Sequence, residues 1–487
     1  MKTILSIIIV SVLAAACART SPEQQVINDA AEALGGKARL EQLKTLIVEG
    51  EGDAPNLGQN ITTESPLPNW KVTEYRRAIE VGNDRMRVKQ TRMAQFLLAS
   101  SSTQKLDQGI DNDLGYNVAA DGMVTRTAGT VVRDRRMEML HHPVTLIRAA
   151  MDPAAKIANH RAQNEYEQVD ITTAKGEMFT VDFDRSTKLP ARVTSMNYNN
   201  NLGDVAIETS FSDYETVGGV KVPKHLITKI DKYPQFDFRV MRTSVNSDAG
   251  DLVAPAGVKA MSVPPAAAIT VTTQLVAKGI WWLAGSGNHR SILFEFDDHL
   301  TLFEAPLNEA RTKAVIDTAR TVRPEKPLTQ VIMSHHHFDH SGGLRVAIAE
   351  GLTIITYRGN VEFFKELAAR KHTIVQDALA RTPKPVQIEP VDEELTLKDK
   401  SMEVQLFHLK DNPREGTNLF AYVPRERILV QADMYDSGWA KHPWGENLPF
   451  NLAMHKLQVD KMVPVHGEIQ TYADVLKTIA SKKSVTD

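Results

Sequence analysis

Hydrophobic positions change their period along this chain. Over residues 22–43 they recur at helical spacing, broken by Gly35-Gly36, and residues 45–51 then alternate as a strand does. From about residue 70 to residue 246 the pattern is mostly period two, with Gly218-Gly219 and residues 184–190 as connecting turns. Residues 137–151 form an amphipathic interruption. Its adjacent His141 and His142 stand before Pro143 with no acidic or cysteine partner at ligand spacing, so they read as the start of a helix rather than as metal ligands. This half predicts a β-rich domain over 22–252. In pattern, it resembles the curved-sheet periplasmic domains that hold lipoprotein or lipid tails, which makes a lipid or an envelope protein its expected partner.

Residues 253–268 are rich in Pro and Ala and lack periodicity, which marks a linker. Close-set strands follow at 270–275, 280–283, 291–296 and 300–303, and later strands alternate with helical stretches at 308–321 and 360–369. That is the signature of an α/β sandwich over 269–487. The fold class is therefore α+β in two domains. With 487 residues, 42% of them hydrophobic, the chain can bury both cores. The 57 basic against 60 acidic side chains leave a formal charge of −3 and no basic stripe, so no nucleic-acid partner is expected.

The N-terminus adds a location. Lys2, the apolar run 4–16 and Ala14-Ala15-Ala16 read as an export signal, too short for a spanning helix, which needs roughly 20 apolar residues. Cys17, the only cysteine, follows directly, as at a lipoprotein cleavage point; it leaves no partner for a disulfide within the chain. The expectation is an exported protein of the periplasm or outer membrane, touching the membrane only through lipidated Cys17. The alternative is an ordinary secretory signal cut after Ala16 or Ala18.

The chemistry concentrates after a buried strand, Val331-Ile332-Met333, where Ser334-His335-His336-His337-Phe338-Asp339-His340-Ser341-Gly342-Gly343 leads into a helix. His335 and His337 can point to one side, and Asp339 and His340 to a second point nearby, which suits two adjacent metal positions. This His-x-His-x-Asp-His pattern resembles the metallo-β-lactamase superfamily over residues 270–479, whose αββα sandwich the C-terminal half is expected to adopt. The resemblance implies that Asp433, at the end of Ile428-Leu429-Val430-Gln431-Ala432, bridges two metals and that His466 in Val465-His466-Gly467 is the last ligand. It also places Glu304 near the usual acidic position of the opening hairpins. The implied metal ligands are His335, His337, Asp339, His340, Asp433 and His466.

One expected ligand is missing: where relatives read Asn-Pro-His, this chain reads Asn412-Pro413-Arg414, and a guanidinium cannot ligate a cation and repels one. His408 stands six residues earlier, at a position that is normally structural. The expectation is one metal held by Asp339, His340, Asp433 and His466, with a weak or empty first site. Zinc is the default, one or two ions, and iron or manganese also fit. The implied activity is hydrolysis of an ester, lactone, thioester or amide-like bond of a small-molecule substrate, by water that the metal acidifies from about 15.7 toward about 7. Asp339, Asp433 or a free site-one histidine is the candidate base, and Arg414 the contact for an anionic substrate or oxyanion. Trp281, Trp282, Trp439 and Trp444 are candidates for the pocket mouth. A non-catalytic envelope scaffold with a degenerate site is the competing reading, and an iron-dependent oxidoreductase is a third.

Overall fold

The computed structural model describes residues 20–96, 102–265, 268–285, 287–436 and 444–483. The segment expected to direct export, with Cys17, as well as Trp439 and His442 and the side chain of Trp444, lies outside them. Among the described residues the N-terminal half forms one open antiparallel sheet of thirteen strands. The first strand, Thr45–Pro55, pairs with Asn69–Glu80 on one side and with the last, Tyr233–Val245, on the other. The chain steps outward from that centre to an edge at Val124–Thr127, then returns from the opposite edge, Lys156–Gln163. Register slips at Glu49/Gly50, Val72/Glu74 and Thr228/Lys229 are bulges, each of which bends and twists its strand.

Helices Gly129–Leu140 and Pro143–Ala150 connect the two edges and cover one face, where Met137, Leu140, Val144 and Ile147 share a core with Val48, Tyr75, Val181, Leu226 and Phe238. The histidine pair starts the second helix as expected. His142 is the N-cap, its ring accepting from Val144 N at 3.3 Å with Pro143 in the first turn. His141 is buried between the hydroxyls of Thr209 and Ser195, at 2.9 and 2.8 Å.

The C-terminal half layers helix, sheet, sheet, helix. Alternation along each strand sends neighbours to opposite faces. Trp282, Ile292, Phe294 and Phe303 meet Val404, Leu406, Ala421 and Val430 of the second sheet between the layers. Trp281, Leu283, Leu293 and Leu302 turn the other way, onto Val315 and Ile316 of helix Glu309–Val322 and onto Leu344 and Ala347. Phe407, Phe420 and Leu429 on the far face of the second sheet pack against Leu448, Leu452, Val475 and Ile479 of the last two helices. The two tryptophans are therefore core residues and not the rim of a pocket. Trp282 Nε1 donates to the Pro464 carbonyl at 3.0 Å, and Trp281 lies under the Arg323 guanidinium.

The two halves are packed together and not merely tethered. Leu202 and Val205 of the first sheet belong to the sandwich's own apolar cluster. Asp204 accepts from the backbone N–H groups of Thr373 and Ile374 at 2.8 and 3.0 Å, and Arg370 pairs with Asp231. No helix among the described residues is long and apolar enough to cross a membrane.

Candidate metal centre

Five segments deliver the site to one end of the sandwich. Glu304 follows strand Leu300–Phe303, His335 and His337 follow Leu328–Ile332, Asp433 follows Ile428–Gln431, and His466 follows Lys461–Pro464. His289 lies in the hairpin between Ile280–Gly285 and Ser291–Glu295. These are carboxyl ends of neighbouring strands, where loops of an α/β sheet converge. Glu304 and Asp433 sit at φ +77° and +54°, a left-handed conformation that side chains rarely adopt and that concentrates at functional positions.

One donor group gathers His289, Asp339, His340 and His466. His340 Nδ1 faces Glu304 Oε2 at 2.8 Å, and His466 Nδ1 faces the Asn288 carbonyl at 2.7 Å, so each ring's N–H is committed outward. Their Nε2 atoms then meet at 3.0 Å, with Asp433 Oδ1 3.3 and 3.1 Å away. Two ring nitrogens on one tetrahedral zinc, each about 2.0–2.1 Å from it, stand roughly 3.3 Å apart. His289 Nε2 approaches Asp339 Oδ2 at 3.1 Å. His289 was not among the sequence-predicted ligands; a histidine at a hairpin tip beside the site was the available signal.

A second group joins His335, His337 and Asp433. His335 Nε2 and His337 Nδ1 are 3.0 Å apart, and Asp433 Oδ2 lies 3.8 and 3.9 Å from them. On that same oxygen sits Arg414, through Nε and a terminal nitrogen, each at 2.8 Å. The guanidinium thus binds the carboxylate oxygen that faces the first site. His408 is held elsewhere: its ring stacks on Tyr357 at 3.7 Å between centroids and lies 3.1 Å from the Gly416 carbonyl, so it is no substitute ligand. Glu415, which carried no role in the sequence, is fully buried 2.8 Å from His337 Nε2. Glu304 behind His340 is a carboxylate–histidine hydrogen bond of the kind that orients a ligating ring, whereas Glu415 stands at ion-pair distance from His337 Nε2, whose hydrogen bond goes to the Asn60 carbonyl at 2.9 Å.

The charges decide what the site attracts. Burial pushes the carboxyls of Asp339, Glu415 and Asp433 up, but their neighbours outweigh it and hold all three well below the usual range; Arg414 and His340 do this for Asp433. Burial likewise opposes a charge on His340, yet Asp433, Asp339 and Glu304 raise its affinity for a proton well above the ordinary histidine value. A field that draws a proton onto a fully buried imidazole also favours a cation, and the converging Nε2 atoms with a buried carboxylate oxygen supply its ligands. The donor set at His289, Asp339, His340, Asp433 and His466 therefore fits a divalent metal of the zinc, iron or manganese type.

The sequence profile of the metallo-beta-lactamase superfamily matches residues 285–434. That segment belongs to this superfamily. His466 lies beyond the matched span, after a strand that pairs in parallel with Ile428–Gln431. Among curated relatives, a linear primary-alkylsulfatase of Pseudomonas sp is 28% identical over 107 residues, 22% of this chain and 15% of that protein. An (R)-specific secondary-alkylsulfatase of Pseudomonas sp is 31% identical over 90 residues, 18% of this chain and 13% of that protein. A solved metallo-beta-lactamase from Pontibacter korlensis superposes with a TM-score of 0.34 at 12% identity, over 44% of this chain and 99% of its own.

Proposed function

We propose that the protein is a metal-dependent hydrolase of ester-type bonds that works with one divalent cation, held by His289, Asp339, His340, Asp433 and His466. The observation that carries this reading is the convergence of His340 Nε2, His466 Nε2 and Asp433 Oδ1 with both rings' N–H groups committed elsewhere. A divalent cation supplies Lewis acidity, which makes water a nucleophile near neutral pH. Glu304 holds the tautomer of His340, Asp433 would be a ligand of the cation while its Oδ2 accepts from Arg414, and Arg414 places a permanent positive charge beside the reacting centre. Such a charge favours an anionic substrate and the charge that develops on a leaving oxygen.

The alkylsulfatase relatives and Arg414 together support a sulfate monoester of an alkyl alcohol as the first substrate class: water adds at the ester, and the alcohol and hydrogen sulfate leave. A cavity of about 600 Å³ in the N-terminal sheet, lined by Val48, Leu57, Tyr75, Met86, Phe236 and Phe238 among others, is our site for the alkyl or lipid part. We further propose that the protein is exported and anchored through Cys17, which a Cys17→Ala variant would test by moving it from the membrane to the soluble fraction. For the activity, protein loaded with zinc or manganese is incubated with medium-chain alkyl sulfates and carboxylate esters. Release of sulfate or acid that is lost in His340→Ala supports the hydrolase. Tight metal with no turnover on either panel would favour the competing reading, a metal-binding scaffold, for which the Arg414–Asp433 pair is the specific support.

A further inference from the structure

The metal centre does not end with the sandwich. Between strands Thr45–Pro55 and Asn69–Glu80 the N-terminal sheet extends a loop whose ends are pinned by Asn56 N donating to the Pro68 carbonyl at 2.7 Å. Leu57 packs on the sandwich cluster, and the next four residues each bond to a segment that carries the site. The Gly58 carbonyl accepts from Phe338 N at 3.2 Å. Gln59 Nε2 donates to Asp339 Oδ1 at 2.8 Å, while its Oε1 accepts from Arg414 at 3.1 Å. The Asn60 carbonyl lies 2.9 Å from His337 Nε2, and the Ile61 carbonyl accepts from Gly416 N at 2.7 Å. Gly58 is required for the approach: at φ +73° a Cβ would come within 2.3 Å of the Phe338 ring.

We propose that this loop makes the N-terminal domain part of the metal centre, with Gln59 as a positioning residue that aligns Asp339 and Arg414 and the Asn60 carbonyl fixing the ring of His337. One amide spans the two groups whose roles must differ. Its N–H occupies Asp339 Oδ1 and leaves Oδ2 toward His289 and the cation, while its oxygen holds Arg414 at Asp433. Accepting the Nε2–H of His337 turns Nδ1 of that ring toward His335 and Asp433. Outer partners of this kind change metal affinity by about 10- to 100-fold when removed. The loop's base at Asn56 and Leu57 also lines the sheet's cavity, so one segment touches both that cavity and the metal centre.

The inference rests on the cation reading but not on hydrolysis, so the test reads binding. Full-length protein is titrated with cobalt(II), followed by visible absorption and by competition with a chelator. Gln59→Met keeps the side chain's shape and removes both hydrogen bonds; Gly58→Ala lifts the loop off Phe338; Thr63→Ala, farther along the loop, is the control. Cobalt affinity about 10-fold weaker in Gln59→Met, weaker again in Gly58→Ala and unchanged in Thr63→Ala, with thermal melts of Gln59→Met and the parent alike, is the expected result. Equal affinity and equal absorption spectra for the parent and Gln59→Met would overturn the proposal. If the unsubstituted protein takes up no cobalt, the cation reading itself falls and the proposal with it.

Discussion

We propose that Arg414 sets how many cations the centre holds. At 2.8 Å from Asp433 Oδ2 it supplies the positive charge that a first-site metal would otherwise bring, and it cannot give up its proton to make room. Arg414 is bonded to the oxygen that faces the first site, and His289 adds a further donor to the second group. We predict that His289→Ala lowers zinc affinity by more than the about 10- to 100-fold that a ligand-orienting partner is worth, without emptying the site, because His340, His466 and the two aspartates remain; competition with a chromophoric chelator reads it. Glu304→Gln should weaken binding by about 10- to 100-fold, since an amide loses the charge that orients the His340 Nδ1–H; an unchanged affinity would show that Glu304 is merely a strand-end anchor. The six residues singled out in the sequence, His335, His337, Asp339, His340, Asp433 and His466, fall into the two donor groups, four of them just after strands and Asp339 and His340 in the short helix Phe338–Ser341. Gln59 was not among them, since nothing local marks a glutamine that meets its partner 280 residues away. Glu415 was visible beside Arg414, but only burial against His337 gives it a role.

At the scale of elements, period-two and helical patterns located most of the strands and helices, including the turn at residues 184–190 and the helix begun by His142 and Pro143. What the pattern did not carry was pairing: that the first strand lies beside the last, closing a long meander around two helices, depends on contacts some 200 residues apart. The histidine pair also makes this element pH-sensitive. Burial, followed by the nearby Arg77 charge, lowers His141 to about 4 and His142 to about 3. Between those values and about 6.5 the unfolded chain binds protons that the folded one does not, so stability is full above about pH 6.5 and declines as pH falls toward 4. For His141 alone the loss is on the order of 3 kcal/mol. Thermal melts from pH 7.5 to 4.5 should show the decline, and His141→Gln, which keeps a hydrogen-bonding side chain, should flatten it; parallel curves for the two proteins would contradict this assignment.

For the molecule as a whole, the proline-rich stretch stands between the thirteen-stranded sheet and the strands of the sandwich, and Leu202 and Val205 of that sheet are buried in the sandwich's apolar cluster. An amphiphile would then meet, in one protein, a cavity with both apolar walls and charged ones, Arg77, Arg92 and Arg135 among them, and an end whose carboxylates draw a cation. Decyl sulfate or dodecanol should protect the N-terminal domain from proteolysis, and Phe238→Ala, which removes a ring from the cavity wall, should weaken that protection several-fold; protection that is indifferent to Phe238 would place the ligand elsewhere. The central claim is that one cation is bound and that Arg414 sets that number. Metal per chain, measured by plasma mass spectrometry on zinc-loaded protein beside an Arg414→His variant, tests it most directly. The account predicts one equivalent in the unsubstituted protein and two in the variant; two equivalents in both, or none in the unsubstituted protein, would contradict it.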